Sequence, residues 1–282
     1  MLTTTALNLR YGATLVKIPH QSLNASYVGF SERFGQPIFV KQFAPGQTKK
    51  WQAETAITEQ MSDWLLAFDA KTRILVRQDL PFMPVEKLDQ ALASDMGRVL
   101  ADYHRRVQPF PGIQDNYRAI EMLATISDPQ LVDGARWFQA HAEGIEVQLQ
   151  AVPAVVRHGD VGLRNYRYLN GQLCLIDYER AQLGMAQQDF IKLFYQDFQS
   201  DQVLIQAFLS GYGELAPVPE LTWMYTIFIT VVGIFNYVRK VSDPAFLAVG
   251  QRMLRDVRNY IQQSEAKHDF WCEKSRKAVL SS

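Results

Sequence analysis

The sequence is short of the features that would place a protein quickly. It has only two cysteines, Cys174 and Cys272, in 282 residues. They are too few and too far apart for the disulfide framework of a small secreted domain, and Cys174, in the run LCLI, reads as a buried thiol. It has no excess of either charge: 29 lysines and arginines stand against 29 aspartates and glutamates. That balance gives no support for a nucleic-acid partner or an anionic membrane surface. The first residues, MLTTTALNLRYG, lack a basic segment followed by an apolar one, so no secretory signal is expected and a cytoplasmic location is. There is no internal repeat and no low-complexity tract. One stretch alone, LTWMYTIFITVVGIFNYVRK at 221–240, approaches membrane-spanning length. It carries Thr222, Thr226, Thr230, Gly233 and Asn236, so it reads as a buried helix and no membrane partner is expected. What remains is an ordinary soluble composition, 48% hydrophobic and 21% charged, at a length suited to one large domain or two smaller ones.

The hydrophobic pattern divides the chain. Strand-like runs lie at 13–18 (ATLVKI), 27–31 (YVGFS), 37–43 (PIFVKQF) and 73–78 (RILVRQ). The middle two form a hairpin about Gly35. A helix is predicted over 48–66, whose last residues, WLLAF at 64–68, either end it or begin a short strand. After Leu80-Pro81 helical spacing dominates: 88–107, 117–126, 129–150, 185–198, 201–213, 221–240 and 243–266. A small β island interrupts it, with NYRYL and LCLID joined by Asn170-Gly171, a strong hairpin signal. The expected fold class is α+β. A strand-rich lobe covers 1–80, and a mostly helical lobe with the island covers 81–282.

The stretch RHGDVGLRN at 157–165 follows an apolar strand and raises the question of function. A polar loop is the plain reading, with Asp160 capping a turn and His158 a satisfied loop histidine. The hairpin nevertheless brings Asp160, Asn165 and Asp177 to one end of the island. Two carboxylates and an amide oxygen make a hard-oxygen site suited to Mg²⁺. Asp177 and Asn165 are the candidate metal ligands, and Asp160 the candidate base for a hydroxyl. Independently, Lys41 alternates with Phe39 and Phe43 on one strand face, which points it inward. Glu54 stands three before Ile57, seven before Met61 and eleven before Leu65, on the apolar stripe of its helix. A carboxylate there needs a cation, so Lys41 and Glu54 are the predicted ion pair. Glu179 and Arg180 are either a surface pair or, for Glu179, a second support of the metal site. Arg164 either assists a phosphate or points to solvent.

HGDVGLRN followed by LIDYE resembles the catalytic and metal-binding motifs of the aminoglycoside phosphotransferase/choline kinase family. Gly184, Asp189-Phe190 and the helix MGRVLADYH at 96–104 extend the likeness over roughly residues 14–200. The resemblance implies a bilobal protein-kinase-like fold, with ATP and Mg²⁺ as cofactors and a small-molecule hydroxyl compound as acceptor. It makes Asp160 catalytic, Asn165 and Asp177 metal ligands, and Asp189 and His158 structural supports of the loop. Lys41 and Glu54 serve ATP. There is no G-x-G-x-x-G. QSLNASY instead resembles the family's Gly/Ser/Asn phosphate loop, so Ser22, Asn24 and Ser26 are expected near phosphate. Gln78–Leu80 are expected to read adenine through their backbone. An inactive nucleotide-binding pseudokinase or scaffold is the alternative. A protein kinase is disfavoured because no A-P-E-like segment or activation loop follows Asp177. Past residue 195, acids (Asp197, Asp201, Glu214, Glu220) would suit a polyamine acceptor. Aromatics (Tyr195, Trp223, Tyr225, Tyr237) would suit a quaternary ammonium, although a core helix explains most of them equally well.

Overall fold

Alternating burial builds the first sheet. The computed structural model describes residues 1–19, 23–114 and 120–280, with the side chains of 267–280 excepted. Strands β1 (Ala13–Ile18), β2 (Ala25–Ser31), β3 (Gln36–Gln42), β4 (Leu65–Asp69) and β5 (Ile74–Gln78) pair antiparallel in the order β1-β2-β3-β5-β4. On one face Ile38 and Val40 are fully buried with Leu15, Tyr27, Ile74 and Val76. Helix α1 (Thr4–Tyr11), which sequence reading does not foresee, closes that face with Leu7 and Tyr11. Its ends follow ordinary capping chemistry: Thr3 accepts from the Ala6 N–H, and Gly12 stops the helix at φ 53°. The other face carries Lys41, in register with Ser26 of β2 and Leu75 of β5. There Phe43 and Leu75 pack under Trp51 of helix α2 (Thr48–Met61).

Helix α2 ends before the expected residue 66. Ser62 is extended (φ −154°), and its N–H and hydroxyl both donate to the Thr58 carbonyl. That stop frees Leu65–Asp69 to pair with β5, which settles the ambiguity of WLLAF in favour of a strand. The two-residue strand β6 (Met83–Pro84) then leads to α3 (Gln90–Arg106), capped by Asp89 and burying Leu92, Met96, Leu100 and Tyr103 at helical spacing. A 3-10 turn occupies Ile120–Thr125, inside the predicted helix 117–126. The helix predicted over 129–150 is two, α4 (Val132–Ala140) and α5 (Ala142–Ala151). The break is at His141, whose Nδ1 hydrogen-bonds the Trp137 carbonyl and whose ring stacks on Trp137 at 4.0 Å.

The β island is two small sheets. Strand β7 (Val155–Arg157) pairs with β10 (Gln182–Gly184), and β8 (Tyr166–Leu169) lies between β6 and β9 (Gln172–Leu175). Asn170 and Gly171 have φ of 50° and 78°, the double positive φ of a type I′ hairpin. Helix α6 (Gln188–Lys192) continues into a π-turn at 193–197, followed by α7 (Gln202–Tyr212), α8 (Glu220–Val238) and α9 (Pro244–Leu280). The α+β reading holds: an antiparallel sheet, then a mostly helical remainder interrupted by the island.

The chain forms two compact units. One gathers α1–α3, all ten strands, α6 and α7. The other gathers α4, α5, residues 194–200, α8 and α9. This division does not coincide with a cut at residue 80, because the island and α3 belong with the N-terminal sheet. In the second unit Phe138 packs on Tyr225 and Phe228. Helix α8 is the one helix among the described residues long and apolar enough to cross a membrane, and half of its apolar window is buried within the protein. Its Thr222 is bonded to Gln148.

Candidate active site

Asp189 fixes the loop after β7. Its carboxylate accepts from the backbone N–H of His158 (2.6 Å) and Gly159 (2.8 Å) and meets His104 Nε2 at 3.0 Å. Burial would raise this carboxyl, but the His104 hydrogen bond and Arg157 outweigh it and hold it below its usual range. His158 is fully buried. Its Nε2 faces the Ile176 carbonyl at 3.0 Å, and its Nδ1 receives the Asp160 N–H at 3.3 Å. Nε2 therefore carries the proton, and burial keeps the ring neutral. His158 thus joins the loop to the residue before Asp177. Gly159 has φ 77°, and a Cβ there would lie 2.1 Å from the Arg180 carbonyl oxygen. Only glycine fits both constraints.

Asn165 completes the loop. Its Nδ2 donates to the Asp160 carbonyl at 2.8 Å, and its own carbonyl accepts from the Ile176 N–H at 3.0 Å. Asp160, Asn165 and Asp177 are thereby held together as the hairpin geometry requires. Asp177 is itself in the left-handed region (φ 69°), a backbone state that costs a non-glycine residue about 1–3 kcal/mol and persists where surrounding bonds enforce it.

Lys41 reaches this end of the island from β3. Its Nζ lies 2.9 Å from Asp177, 3.0 Å from Glu179 and 3.7 Å from Glu54. The predicted partner Glu54 is thus the most distant of three carboxylates. Its Oε2 is buried without a hydrogen bond, and burial, opposed by Lys41, pushes the carboxyl up to about 7. Burial disfavours the Lys41 charge, but the three carboxylates prevail and keep it protonated. Glu179 also binds Lys50 at 3.2 Å and the amide of Asn24 at 2.9 Å. Lys41, Glu54, Asp177, Glu179 and Asn24 line a cavity of about 440 Å³ with Ser26, Phe39, Trp64, Arg77 and Phe82.

Some expectations shift. Asn24 lines the cavity, but its side chain braces Glu179 and the Ala44 N–H; Ser22 lies outside the described residues. The Gln78 N–H donates to the Trp64 carbonyl and its carbonyl accepts from Arg77, the Asp79 N–H is bound to Pro37, and the Leu80 carbonyl accepts from the Phe82 N–H. Each of these carbonyls keeps a second lone pair. Among the distal acids and aromatics, Asp201 caps α7, Tyr195 donates to Asp256, and Tyr225 is buried in its ring cluster.

Sequence reasoning missed the cations on Asp160. Lys192 Nζ lies 2.5 Å from Oδ1, Arg164 Nη2 2.6 Å from Oδ2, and Arg180 Nε 3.8 Å from Oδ2. Burial would raise the Asp160 carboxyl, but Lys192, Arg180 and Arg164 together hold it well below the carboxylate range. Arg164, left open by the sequence, therefore turns back onto the loop. Lys192 is 32 positions from Asp160, and only the folding of α6 beside the loop joins them.

Comparison with known proteins identifies the family and the fold. A family model described as "Phosphotransferase enzyme family" matches residues 69–224, more than half of the chain. Among curated proteins no sequence match is found. Solved structures share the fold. Choline kinase LicA from Streptococcus pneumoniae has a TM-score of 0.60 at 16% identity, over 91% of this chain and 99% of that one. A choline/ethanolamine kinase family protein from Mesorhizobium loti has 0.58 at 13%, over 88% of each. Spectinomycin phosphotransferase, solved with ADP and spectinomycin, has 0.54 at 13%, over 88% and 96%.

Proposed function

The chain belongs to the phosphotransferase enzyme family and is a small-molecule kinase, and we propose that it uses ATP with Mg²⁺ to phosphorylate a hydroxyl group. The observation that carries this reading is the sharing of one cavity by Lys41, Asn165 and Asp177, with Asp160 bonded to Asn165 at its edge. The oxygen donors fit the metal. Mg²⁺ is commonly held by one or two carboxylates together with substrate phosphates. Asp177 and the Asn165 Oδ1 would hold it, with Glu179 beside them. When bound, Mg²⁺ neutralises charge on the β- and γ-phosphates.

The chain's own residues do the rest. Lys41 turns from its carboxylates to the α- and β-phosphates. Phe39, Trp64 and Phe82 offer apolar walls to the base, and Leu80 the connector backbone. Asp160 accepts the hydrogen of the acceptor hydroxyl. The acceptor oxygen bonds to the γ-phosphorus as the bond to the β,γ-bridging oxygen breaks, its electron pair leaving with ADP. A carboxyl so strongly ionised is a weak base, and its main work is to orient the hydroxyl, consistent with a loose transition state. A cytoplasmic setting, where Mg-ATP is available, goes with this proposal.

Calorimetric titration with ATP, with and without Mg²⁺, tests it. Binding should need Mg²⁺ and weaken at least tenfold in Lys41→Ala. Equal binding in EDTA would overturn the metal assignment. Tight binding with no transfer to any acceptor would favour the scaffold alternative.

A further inference from the structure

A second cavity, of about 320 Å³, adjoins the loop and bears on the acceptor. Gly159 and Arg180 stand at its loop end, and Lys49, Lys50, Gln114 and Gln182 line it. Its one carboxylate among the described residues, Glu179, is already bound to Lys41 and Lys50. Lys49 is exposed and has no ion-pair partner among the described residues. Arg180 belongs to both sites: it lines this cavity while its Nε lies 3.8 Å from Asp160. Arg164 and Arg180 are half-exposed, with side-chain exposures of 56% and 49%. Asp160 is the one carboxylate they share, and Lys192 competes for it. A chain with no net charge thus concentrates positive charge where an acceptor must present its hydroxyl.

We propose, resting on the kinase reading above, that this cavity is the acceptor site and that the acceptor is an anion, a hydroxyl compound that also carries a carboxylate or phosphate group. A cationic acceptor would meet Lys49, Lys50 and Arg180 at close range, and Glu179, the one lining carboxylate among the described residues, is already paired. A carboxylate or phosphate would find the forked donors of Arg180, which match its oxygens in pairs. Entry of the anion draws Arg180 from Asp160, and Oδ2, still bonded to Arg164 at 2.6 Å, receives the hydroxyl once the half-exposed Arg164 turns away as well. Charge that now neutralises Asp160 in the empty site is transferred to the substrate.

The γ-phosphate of ATP offers these cations the same chemistry, so the test separates the two sources. Full-length protein saturated with AMP-PNP and Mg²⁺ is titrated with inorganic phosphate. Phosphate should still bind, and Arg180→Gln should weaken it at least tenfold, Lys49→Gln severalfold. A melting curve of each variant checks folding, and the exposed Lys49 gives a variant that leaves the loop intact. Failure of phosphate to bind the AMP-PNP-saturated protein, or loss of nucleotide rather than phosphate affinity in Arg180→Gln, would overturn the proposal. Alongside, ADP release with Mg-ATP is compared for hydroxy acids and sugar phosphates against choline, ethanolamine and kanamycin. Turnover confined to the amines also overturns it. If AMP-PNP itself does not bind, the kinase reading fails, and phosphate titration of the free protein still decides whether the anion site exists.

Discussion

Two buried aspartates, 29 positions apart, lie within one loop network and are held in opposite ways. Asp189 takes its hydrogen bonds from two backbone N–H groups and a buried histidine. Asp160 is held by the tips of three long side chains, hydrogen-bonded to Arg164 and Lys192 and ion-paired with Arg180, the two arginines half-exposed. Backbone donors cannot leave without unfolding the loop, whereas an arginine or lysine tip can swing to another anion at little cost. The first carboxylate is therefore built as frame and the second as a place of exchange. Burial alone, 3% and 5% exposure, does not distinguish them.

The contrast breaks most sharply in paired alanine variants. Asp160→Ala should lower turnover by roughly 10²–10⁴-fold while shifting the melting temperature little, because solvent and neighbouring groups can take up its cations. Near-normal turnover would remove it from the chemistry. Asp189→Ala should do the reverse: three buried donors are stranded, at about 3–5 kcal/mol, or on the order of 10 °C in melting. A melting point within a degree or two of the parent would show that the loop does not depend on it. Gly159→Ala is expected to cost about 1–3 kcal/mol from its positive φ. Turnover should fall as well, since the new Cβ must push Arg180 and its turn aside; kinetics and melting together check it.

The smallest effect concerns Glu54. Its folded carboxyl titrates at about 7, above the ordinary value of about 4.3. The folded state thus binds the extra proton, and the stability it lends is full below the ordinary value and lost as pH rises through about 7. Without Mg²⁺ or nucleotide, Glu54→Gln should match the parent near pH 5 and exceed it by about 1 kcal/mol near pH 8. A constant difference across that range would mean that Glu54 stays ionised throughout.

Much of this was legible in the sequence, and the remainder has definite physical reasons. Asn170-Gly171 announced its hairpin because a type I′ turn demands positive φ at both positions. Glu54 was legible because a carboxylate on an apolar stripe needs a reason. Asp160, Asn165 and Asp177 were legible because the hairpin register carries them together. Helix α1 was missed because its eight residues have no clear apolar face, even though Thr3 and Gly12 mark its ends. Strands β6 and β10 have two and three residues, too few to show alternation. Lys192 was invisible because nothing local at 192 refers to residue 160. The backbone partners of Gln78–Leu80 were not legible, because a side-chain reading carries no record of main-chain hydrogen bonds.

The crowd of carboxylates on Lys41 bears on the order of events in turnover. Asp177 is occupied by an ammonium at 2.9 Å in the empty protein, so a free divalent ion must compete with a tethered cation that never diffuses away. Nucleotide phosphates draw that ammonium off and expose the carboxylate at the same moment. Metal and nucleotide then arrive most easily as a preassembled complex. Free nucleotide, at limiting metal, then binds too weakly to hold the site. Steady-state rates measured across a grid of total ATP and total Mg²⁺ would show this as a rate that follows the concentration of the complex.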